Sequence, residues 1–300
     1  MYRKTKTFTG ISKNQIQGYY YIAPWLIGFL LLTVYPFIIS LFYSFTDFDM
    51  FTFKFVGLEN YKEIFTNDDT FYGSLTITMI FTVASVIGKL SVALLCALFL
   101  TRKSNLTGFY RTAFYLPSIF GGSVSLAILW KYLFKTDGLI NGILKVFSIS
   151  RVNWLGSPDT ALFTLILLPL WQMGSPMVIF IAALQTVPKE LLEAARIDGA
   201  GIVSVFFKVK LPLISSVLLF NLIQQTISII QFFTPAYIIT QGGPIKATYL
   251  YSLMIYDVSF RNFRMGYASA LSWILFVIMI VYTIILFRTA NKWVFYEDGD

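Results

Sequence analysis

The chain contains no histidine, a single cysteine and few charged residues, and each shortage excludes a class of protein. Without His, a zinc site or a His general base is excluded, and Cys96 has no second cysteine with which to form an internal disulfide. Only 13% of residues are charged, against about 25% in ordinary soluble domains. The net charge of +8 comes from basic residues spread over short loops, so we expect no nucleic-acid partner.

What the sequence has in abundance is apolar surface, since 57% of the residues are apolar and 18% are aromatic. A soluble protein of 300 residues could not bury this much, so a bilayer must surround much of the chain. A helix that crosses a bilayer needs about 20 mainly apolar residues. Six windows meet this condition and predict an all-α, polytopic membrane protein with six transmembrane helices: 19–45, 73–100, 109–134, 160–185, 213–240 and 267–288.

The charges that flank the first window indicate its orientation. Cations precede it and carboxylates follow it: Arg3, Lys4, Lys6 and Lys13 before, and Asp47, Asp49, Glu59, Glu63, Asp68 and Asp69 after. Basic flanks of membrane spans lie on the cytoplasmic side, and the flanks of the first span usually have the greatest influence on the orientation of the protein. We therefore expect a multi-pass membrane protein with both termini in the cytoplasm, together with the loop at residues 186–212.

That loop contains a polar segment, residues 193–212, with the sequence EAARIDGAGIVSVFFKVKLP. The pattern predicts a short amphipathic helix, a bend that glycine permits, and a second helix that stops at a proline. Glu193, Ala194 and Ala195 are followed after three residues by Gly199. Nine further residues separate this glycine from Val209-Lys210-Leu211-Pro212. For the segment taken alone, an ordinary amphipathic connector is the alternative interpretation.

The spacing resembles that of the loop by which permease subunits of ABC importers bind their ATPase. In that family Glu-Ala-Ala is followed by three residues, Gly, nine residues, an aliphatic residue, any residue and Leu-Pro, and Val209 stands here where Ile is usual. The resemblance implies a type I ABC importer permease fold in which the polar segment transmits ATPase closure to the membrane helices. It assigns the ATPase contact to Glu193, Ala194, Ala195, Arg196, Asp198, Gly199, Gly201, Leu211 and Pro212.

Four short turns extend the resemblance over nearly the whole chain. They are similar to loops of carbohydrate permeases and lie at residues 57–61, 137–141, 152–155 and 241–244. The last turn points to the first permease of maltose- or glycerol-phosphate-type (CUT1-like) importers. We therefore expect one permease domain over residues 1–300. Its parts would be an N-terminal tail and first span at 1–45 and a core at 73–288 that includes the cytoplasmic coupling loop 186–212.

The resemblance also implies a location in the bacterial plasma membrane, and it implies partners. They are a second homologous permease, two ATP-binding subunits, an extracytoplasmic solute-binding protein and a sugar or oligosaccharide cargo. No Gly-x-x-x-x-Gly-Lys-Ser/Thr phosphate loop occurs in the sequence. We therefore expect a transport subunit that is not an enzyme and holds no cofactor, with ATP and Mg²⁺ bound by the partner ATPase. The sequence leaves open which sugar is carried.

The fifth window carries polar side chains at helical spacing. Asn221, Gln224, Ser228 and Gln231 follow one another at intervals of 3, 4 and 3, which places them on one helix face. Neutral amides offer donors and an acceptor to sugar hydroxyls, although hydrogen bonding between membrane helices is an equally open interpretation. Aromatic rings could supply flat faces for pyranoses, or simply pack. The predicted substrate path comprises Asn221, Gln224, Ser228, Gln231, Phe232, Trp171, Gln172 and Tyr267.

Two further observations bear on function. Lys89 is the only charge well inside a predicted span, and we expect it to snorkel or to pair with a neighbouring subunit, because no acid lies at matching depth. A secondary transporter of a small polar solute is the alternative function. It would normally show intramembrane acids, a proton-coupling His, or matched repeat halves. A membrane enzyme would need a buried catalytic cluster, and a channel would not need the polar segment.

Overall fold

The computed structural model describes residues 13–101 and 106–295. Within these residues the regular structure is helical, and the one β-contact is an isolated bridge between Thr46 and Phe55. The predicted all-α class is therefore confirmed. The α-helices are α1 Lys13–Phe29, α2 Tyr35–Ser44, α3 Glu59–Asn67, α4 Asp69–Leu100, α5 Thr107–Ile119, α6 Val124–Leu133, α7 Leu139–Val146, α8 Pro158–Trp171, α9 Gly174–Thr186, α10 Lys189–Ile197, α11 Ile202–Val205, α12 Leu211–Leu213, α13 Ser215–Ile230, α14 Thr234–Ile239, α15 Tyr251–Tyr256 and α16 Met265–Ala290.

Four continuous or nearly continuous helical stretches are long and apolar enough to cross a membrane: Tyr20–Ser44, Asp69–Leu100, Ser215–Ile239 and Met265–Ala290. The third and fourth predicted windows are instead bent pairs. α5 and α6 meet at 104°, and α8 and α9 meet at 44°. Counting each pair as one span gives the six predicted crossings. Pro117 and Pro169 lie shortly before the two breaks, where the missing N–H weakens the helical ladder.

The chain forms two compact units. Of the described residues, the first unit comprises 13–63 and 258–273, and the second comprises 64–101, 106–257 and 274–295. The second unit is built around α4, which packs against α8, α9, α13 and α15. Its core excludes the side chains of Phe81, Leu165 and Phe180 from solvent. α4 is therefore the scaffold on which the broken helices of this unit are arranged.

In the first unit, the turn at residues 57–61 fixes the end of α2. The Asn60 side-chain amide donates to the carbonyl oxygens of Ser44 and Thr46, at 3.0 and 2.9 Å. Arg264 forms a two-pronged ion pair with Glu63, with N–O distances of 2.8 and 2.7 Å. Hydrogen bonding to Glu63 raises the pKa of the Arg264 guanidinium. The motif residue Asn60 thus serves to join neighbouring stretches of backbone.

In the second unit, Asn141 joins the two turns at residues 137–141 and 152–155. Its Nδ2 donates to the carbonyl oxygens of Thr136 and Val152, at 3.0 and 2.9 Å. Its Oδ1 accepts from the Val152 N–H at 3.0 Å and from Trp154 Nε1 at 3.2 Å. One buried amide therefore satisfies both of its ends with protein partners, which explains why the two turns occur together.

Candidate functional site

A cavity of about 630 Å³ lies in the second unit where three helical stretches are broken. Residues 121–122 separate α5 from α6, Gln172 follows the end of α8, and residues 231–233 separate α13 from α14. All three breaks contribute to the lining. Broken helices leave backbone polar groups that the bilayer core cannot satisfy, and they are tolerated where they line a cavity or are buried in protein. The volume of this cavity lies within the range of about 300–1,000 Å³ that is typical of sites for small molecules.

The polar side chains of α13 supply one wall of this cavity. Gln224, Ser228 and Gln231 all line it and are solvent-exposed, so the structure brings these predicted residues together. Phe232 follows them in the lining, and its ring packs against Phe81 with centroids 5.0 Å apart. The wall therefore combines neutral hydrogen-bonding groups with one aromatic face.

Gln172 also lines the cavity, and its side chain connects two of the helix breaks. Its Nε2 donates a hydrogen bond to the carbonyl oxygen of Gly121. Gly121 has φ of +49°, in the left-handed region that glycine adopts at little cost. The bond satisfies a carbonyl left free by the break after α5 and holds both breaks beside the cavity.

The remaining path residues lie elsewhere. Asn221 does not line the cavity and is fully buried, with Nδ2 donating to the Val217 carbonyl oxygen at 3.0 Å. Phe220 does line the cavity, so the lining extends past Asn221 along α13, and Asn221 is excluded because it lies on the buried face of the helix. Trp171 packs beside Trp130, with ring centroids 5.6 Å apart, and is also absent from the lining.

Tyr267 belongs to the first compact unit. Its side chain is 3% exposed, and the guanidinium carbon of Arg264 lies 4.3 Å from the centre of its ring. The structure thus shows this ring in a buried cation–π contact. Its predicted contact with cargo remains a prediction.

Lys89 lines the cavity, a position that the sequence did not indicate. Among the described lining residues it is the only one with a charged side chain. At the adjacent position, a Cβ on Gly88 would lie 3.0 Å from Leu170 Cδ1, so α4 and α8 approach closely there. The signal that could have identified Lys89 was present in the sequence, because it is the sole cation within an uninterrupted apolar run.

The polar segment folds as the sequence predicts, into a helix, a bend and a second helical stretch. α10 ends with Gly199 at φ of +78°, and the Ala200 N–H donates to the Ala195 carbonyl oxygen at 2.9 Å. This is the arrangement of a helix ended by a left-handed glycine. The second stretch was not predicted in detail, because residues 206–210 form a π-helical turn before Pro212. Proline lacks the N–H that a regular α-helix would need there.

Most of the predicted contact residues of the polar segment are exposed: Glu193, Ala194, Arg196, Asp198, Gly199 and Gly201, whereas Ala195, Leu211 and Pro212 are half-buried. The segment also presents apolar side chains that the motif did not reveal. Ile197, Ile202 and Val203 are 86%, 83% and 70% exposed, respectively. Clustered exposed apolar side chains mark a surface that contacts another macromolecule.

A second cavity, of about 1180 Å³, separates the polar segment from the ends of α4, α5 and α9. Arg111 lines it and anchors the start of α5 by donating from Nη2 to the Leu100 carbonyl oxygen at 2.9 Å. Lys189, Arg196 and Lys210 line the same space. The polar segment is therefore attached at its ends, with room between it and the membrane helices.

Comparison with known proteins gives the same class of protein as the fold and the site: a helical membrane protein that moves a solute. Residues 74–294 match the family described as "Binding-protein-dependent transport system inner membrane component". Since this match covers most of the chain, the protein belongs to that family.

Similar proteins support the assignment along nearly the whole chain. It is 47% identical to the probable ABC transporter permease protein YesP of Bacillus subtilis (strain 168), over 98% of this chain and 97% of that protein. It is 32% identical to the probable starch degradation products transport system permease protein AmyD of Thermoanaerobacterium thermosulfurigenes, over 97% and 98%.

A solved structure shows the same fold. The match is a chain in the crystal structure of a bacterial alginate ABC transporter in complex with an alginate pentasaccharide-bound periplasmic protein. The TM-score is 0.80, and the alignment covers 93% of this chain and 96% of that one at 20% identity. The predicted importer permease fold is therefore confirmed.

Proposed function

We propose that the chain is the membrane-spanning permease subunit of an ATP-driven ABC importer that carries a sugar or an oligosaccharide. The observation that supports this most is the cavity at the three helix breaks. Its amides offer both donors and acceptors to hydroxyl groups, and Phe232 offers a flat apolar face to a sugar ring. The name of AmyD, a probable permease for starch degradation products that is similar over nearly its full length, agrees with a carbohydrate cargo.

The transport step is alternating access. Two ATP-binding subunits, which hold ATP and Mg²⁺, close on the nucleotide, and a second homologous permease completes the path with this chain. A solute-binding protein delivers the cargo from outside. This chain breaks no bond of its own and carries no ATPase site.

The polar segment is the link to the ATPase. Its exposed apolar side chains, Ile197, Ile202 and Val203, enter a cleft of the ATP-binding subunit. The bend at Gly199 fixes the angle between α10 and α11. Because a cavity separates the segment from the spans, force reaches them through its two ends, near α9 and α13.

The membrane orientation follows from the same assignment. The polar segment must lie on the side that holds ATP, so the termini lie in the cytoplasm together with residues 186–212. The charges that flank the first span support this orientation independently. The family match favours this function over that of a secondary transporter.

Co-purification tests the proposal. The tagged chain, extracted from membranes of its own host in a mild detergent, is expected to bring a second permease and an ATP-binding protein. The purified assembly should hydrolyse ATP faster when a solute-binding protein and its cargo are added. Recovery of the chain without any ATP-binding protein, under conditions that keep other importers intact, would contradict the proposal.

A further inference from the structure

We infer that the cargo is an anionic carbohydrate, a sugar acid or a sugar phosphate, and that Lys89 binds its negative charge inside the cavity. The inference rests on the proposed function and adds the charge of the cargo to it. It is carried by the position of Lys89, which shares the cavity lining with Gln224, Ser228 and Gln231.

The ammonium group of Lys89 has no hydrogen-bond or ion-pair partner among the residues that the structure describes. The residue lies in the twenty-first position of the 32-residue helix α4, far from either end. A lysine near a helix end can extend its ammonium to the membrane surface, but this position is unfavourable for that. The sequence-based expectation of snorkelling is therefore replaced by a cation that faces the cavity.

None of the described residues that line the cavity is a carboxylate that could neutralise this charge. The helices that supply the lining carry acids only in their first turns, at Asp69 in α4 and Asp159 in α8. Apart from Lys89, the polar and aromatic side chains that line the cavity are neutral amides, hydroxyls and aromatic rings. A charged side chain inside a membrane span without a counter-charge is costly, and in membrane proteins such residues mark the path of an ion or a charged substrate.

The position of Lys89 is also fixed by packing. α8 approaches α4 at Gly88, where Leu170 leaves no room for a larger side chain without displacement. This contact sets the rotation of α4 at the adjacent residue. The lysine therefore faces the amides of α13 across the same space, so one anionic sugar residue can contact both walls.

The cavity amides and the ammonium group of Lys89 bind different parts of the cargo. The amides bind hydroxyl groups, which every sugar has, whereas the ammonium attracts a carboxylate or a phosphate, which only anionic carbohydrates have. Lys89 would then favour acidic cargo over neutral cargo during transfer from the binding protein. A neutral sugar would leave the ammonium unpaired in the cavity.

A consumption assay in the native host tests the inference. Cells receive a mixture of oligosaccharides from polygalacturonate, alginate and starch, together with glycerol phosphate and sugar phosphates. Mass spectrometry follows which compounds leave the medium in the wild type and remain in a strain that lacks the gene. The gene is then replaced by variants Lys89→Met, Lys89→Arg and, as a matched control at an exposed lysine, Lys145→Met.

We expect the compounds whose uptake requires this chain to carry a carboxylate or a phosphate. Their identities show which of the two anionic groups Lys89 binds. Lys89→Met should slow their uptake about tenfold or more, Lys89→Arg should restore most of it, and Lys145→Met should match the wild type. The inference is overturned if only neutral oligosaccharides depend on the chain, or if Lys89→Met takes up acidic ones normally. In both cases the proposed function stands. If the uptake of no carbohydrate depends on the chain, both the inference and the proposed function fail.

Discussion

Gln172 donates a hydrogen bond from its side-chain amide to the carbonyl oxygen of Gly121, 51 residues earlier in the chain. The two residues lie in the breaks of two different bent helix pairs. The cavity is therefore held open by a bond between positions where the helical hydrogen-bond ladder is interrupted. This arrangement makes the shape of the cavity depend on one side chain.

Replacing Gln172 by Leu is expected to lower both the thermal stability of the purified assembly and its transport rate. The lost bond leaves the Gly121 carbonyl unpaired, at a cost of about 1–3 kcal/mol. Gln185→Leu is the matched control, since this glutamine is exposed at the end of α9. Thermal unfolding followed by fluorescence gives the comparison, and equal melting temperatures for the two variants would count against the role of Gln172.

Gln224 and Asn221 lie one helical turn apart but in different surroundings, and their Leu variants should behave differently. Gln224→Leu removes a cavity amide, so we expect intact assembly, unchanged basal ATP hydrolysis and reduced cargo uptake. Asn221→Leu changes a fully buried side chain, so we expect reduced yield of the assembled complex. Gel filtration and uptake assays separate the two outcomes. Loss of assembly in Gln224→Leu would mean that the α13 amides hold helices together.

The bend of the polar segment should tolerate no proline. Gly199 has φ of +78°, whereas proline is restricted to about −65°, so Gly199→Pro cannot keep the geometry. We expect the protein to remain in the membrane but to lose uptake and the bound ATPase. Gly142→Ala, in the open space around α7, serves as the control. Normal uptake by Gly199→Pro would remove the basis for the coupling role.

Ile202 tests the apolar part of the proposed ATPase contact. It is 83% exposed, so Ile202→Asp should leave the fold of this chain intact while weakening a protein contact that buries it. We expect at least about a tenfold loss of co-purifying ATPase, because burial of such a side chain contributes about 1.5–3 kcal/mol. Val146→Asp, at 81% exposure on α7, is the matched control. Equal losses in both variants would show that the effect is nonspecific.

Cysteine labelling tests the orientation, and the structure selects the positions. Asn60 and Asn141 are in predicted outer loops but are buried, so they make poor probes. Phe51→Cys, at an exposed outer position, should react with a membrane-impermeant reagent in whole cells. Asn291→Cys, at an exposed position after the end of α16, should react only after the membrane is opened. Both are made in a Cys96→Ser background, and the reverse pattern would overturn the proposed topology.

The parts of the fold that were predictable are those in which local chemistry decides the structure. α4 and α16 follow from uninterrupted apolar runs, and the bend at Gly199 follows from the spacing of glycine and proline. The breaks near Pro117 and Pro169 were not predictable, because membrane helices often continue through proline when neighbours satisfy the freed carbonyls. Whether a helix bends or breaks depends on packing partners, which are distant in sequence.

In the candidate site, too, local sequence predicts some features, whereas others depend on packing between distant parts of the chain. Helical periodicity placed Gln224, Ser228 and Gln231 on one face, but it does not show where that face meets packed neighbours, so Asn221 was included although it is fully buried. The location of Lys89 depends on the contact between α4 and α8, which a single sequence does not reveal.

The most direct test of the central claim is uptake into proteoliposomes that contain the purified assembly. The binding protein is added outside with a labelled carbohydrate that wild-type cells consume through this chain. We predict accumulation that requires ATP inside the vesicles, is unaffected when ion gradients are collapsed, and is lost in Gly199→Pro. Accumulation without ATP, driven by an ion gradient and unchanged in that variant, would contradict the account and favour a secondary transporter.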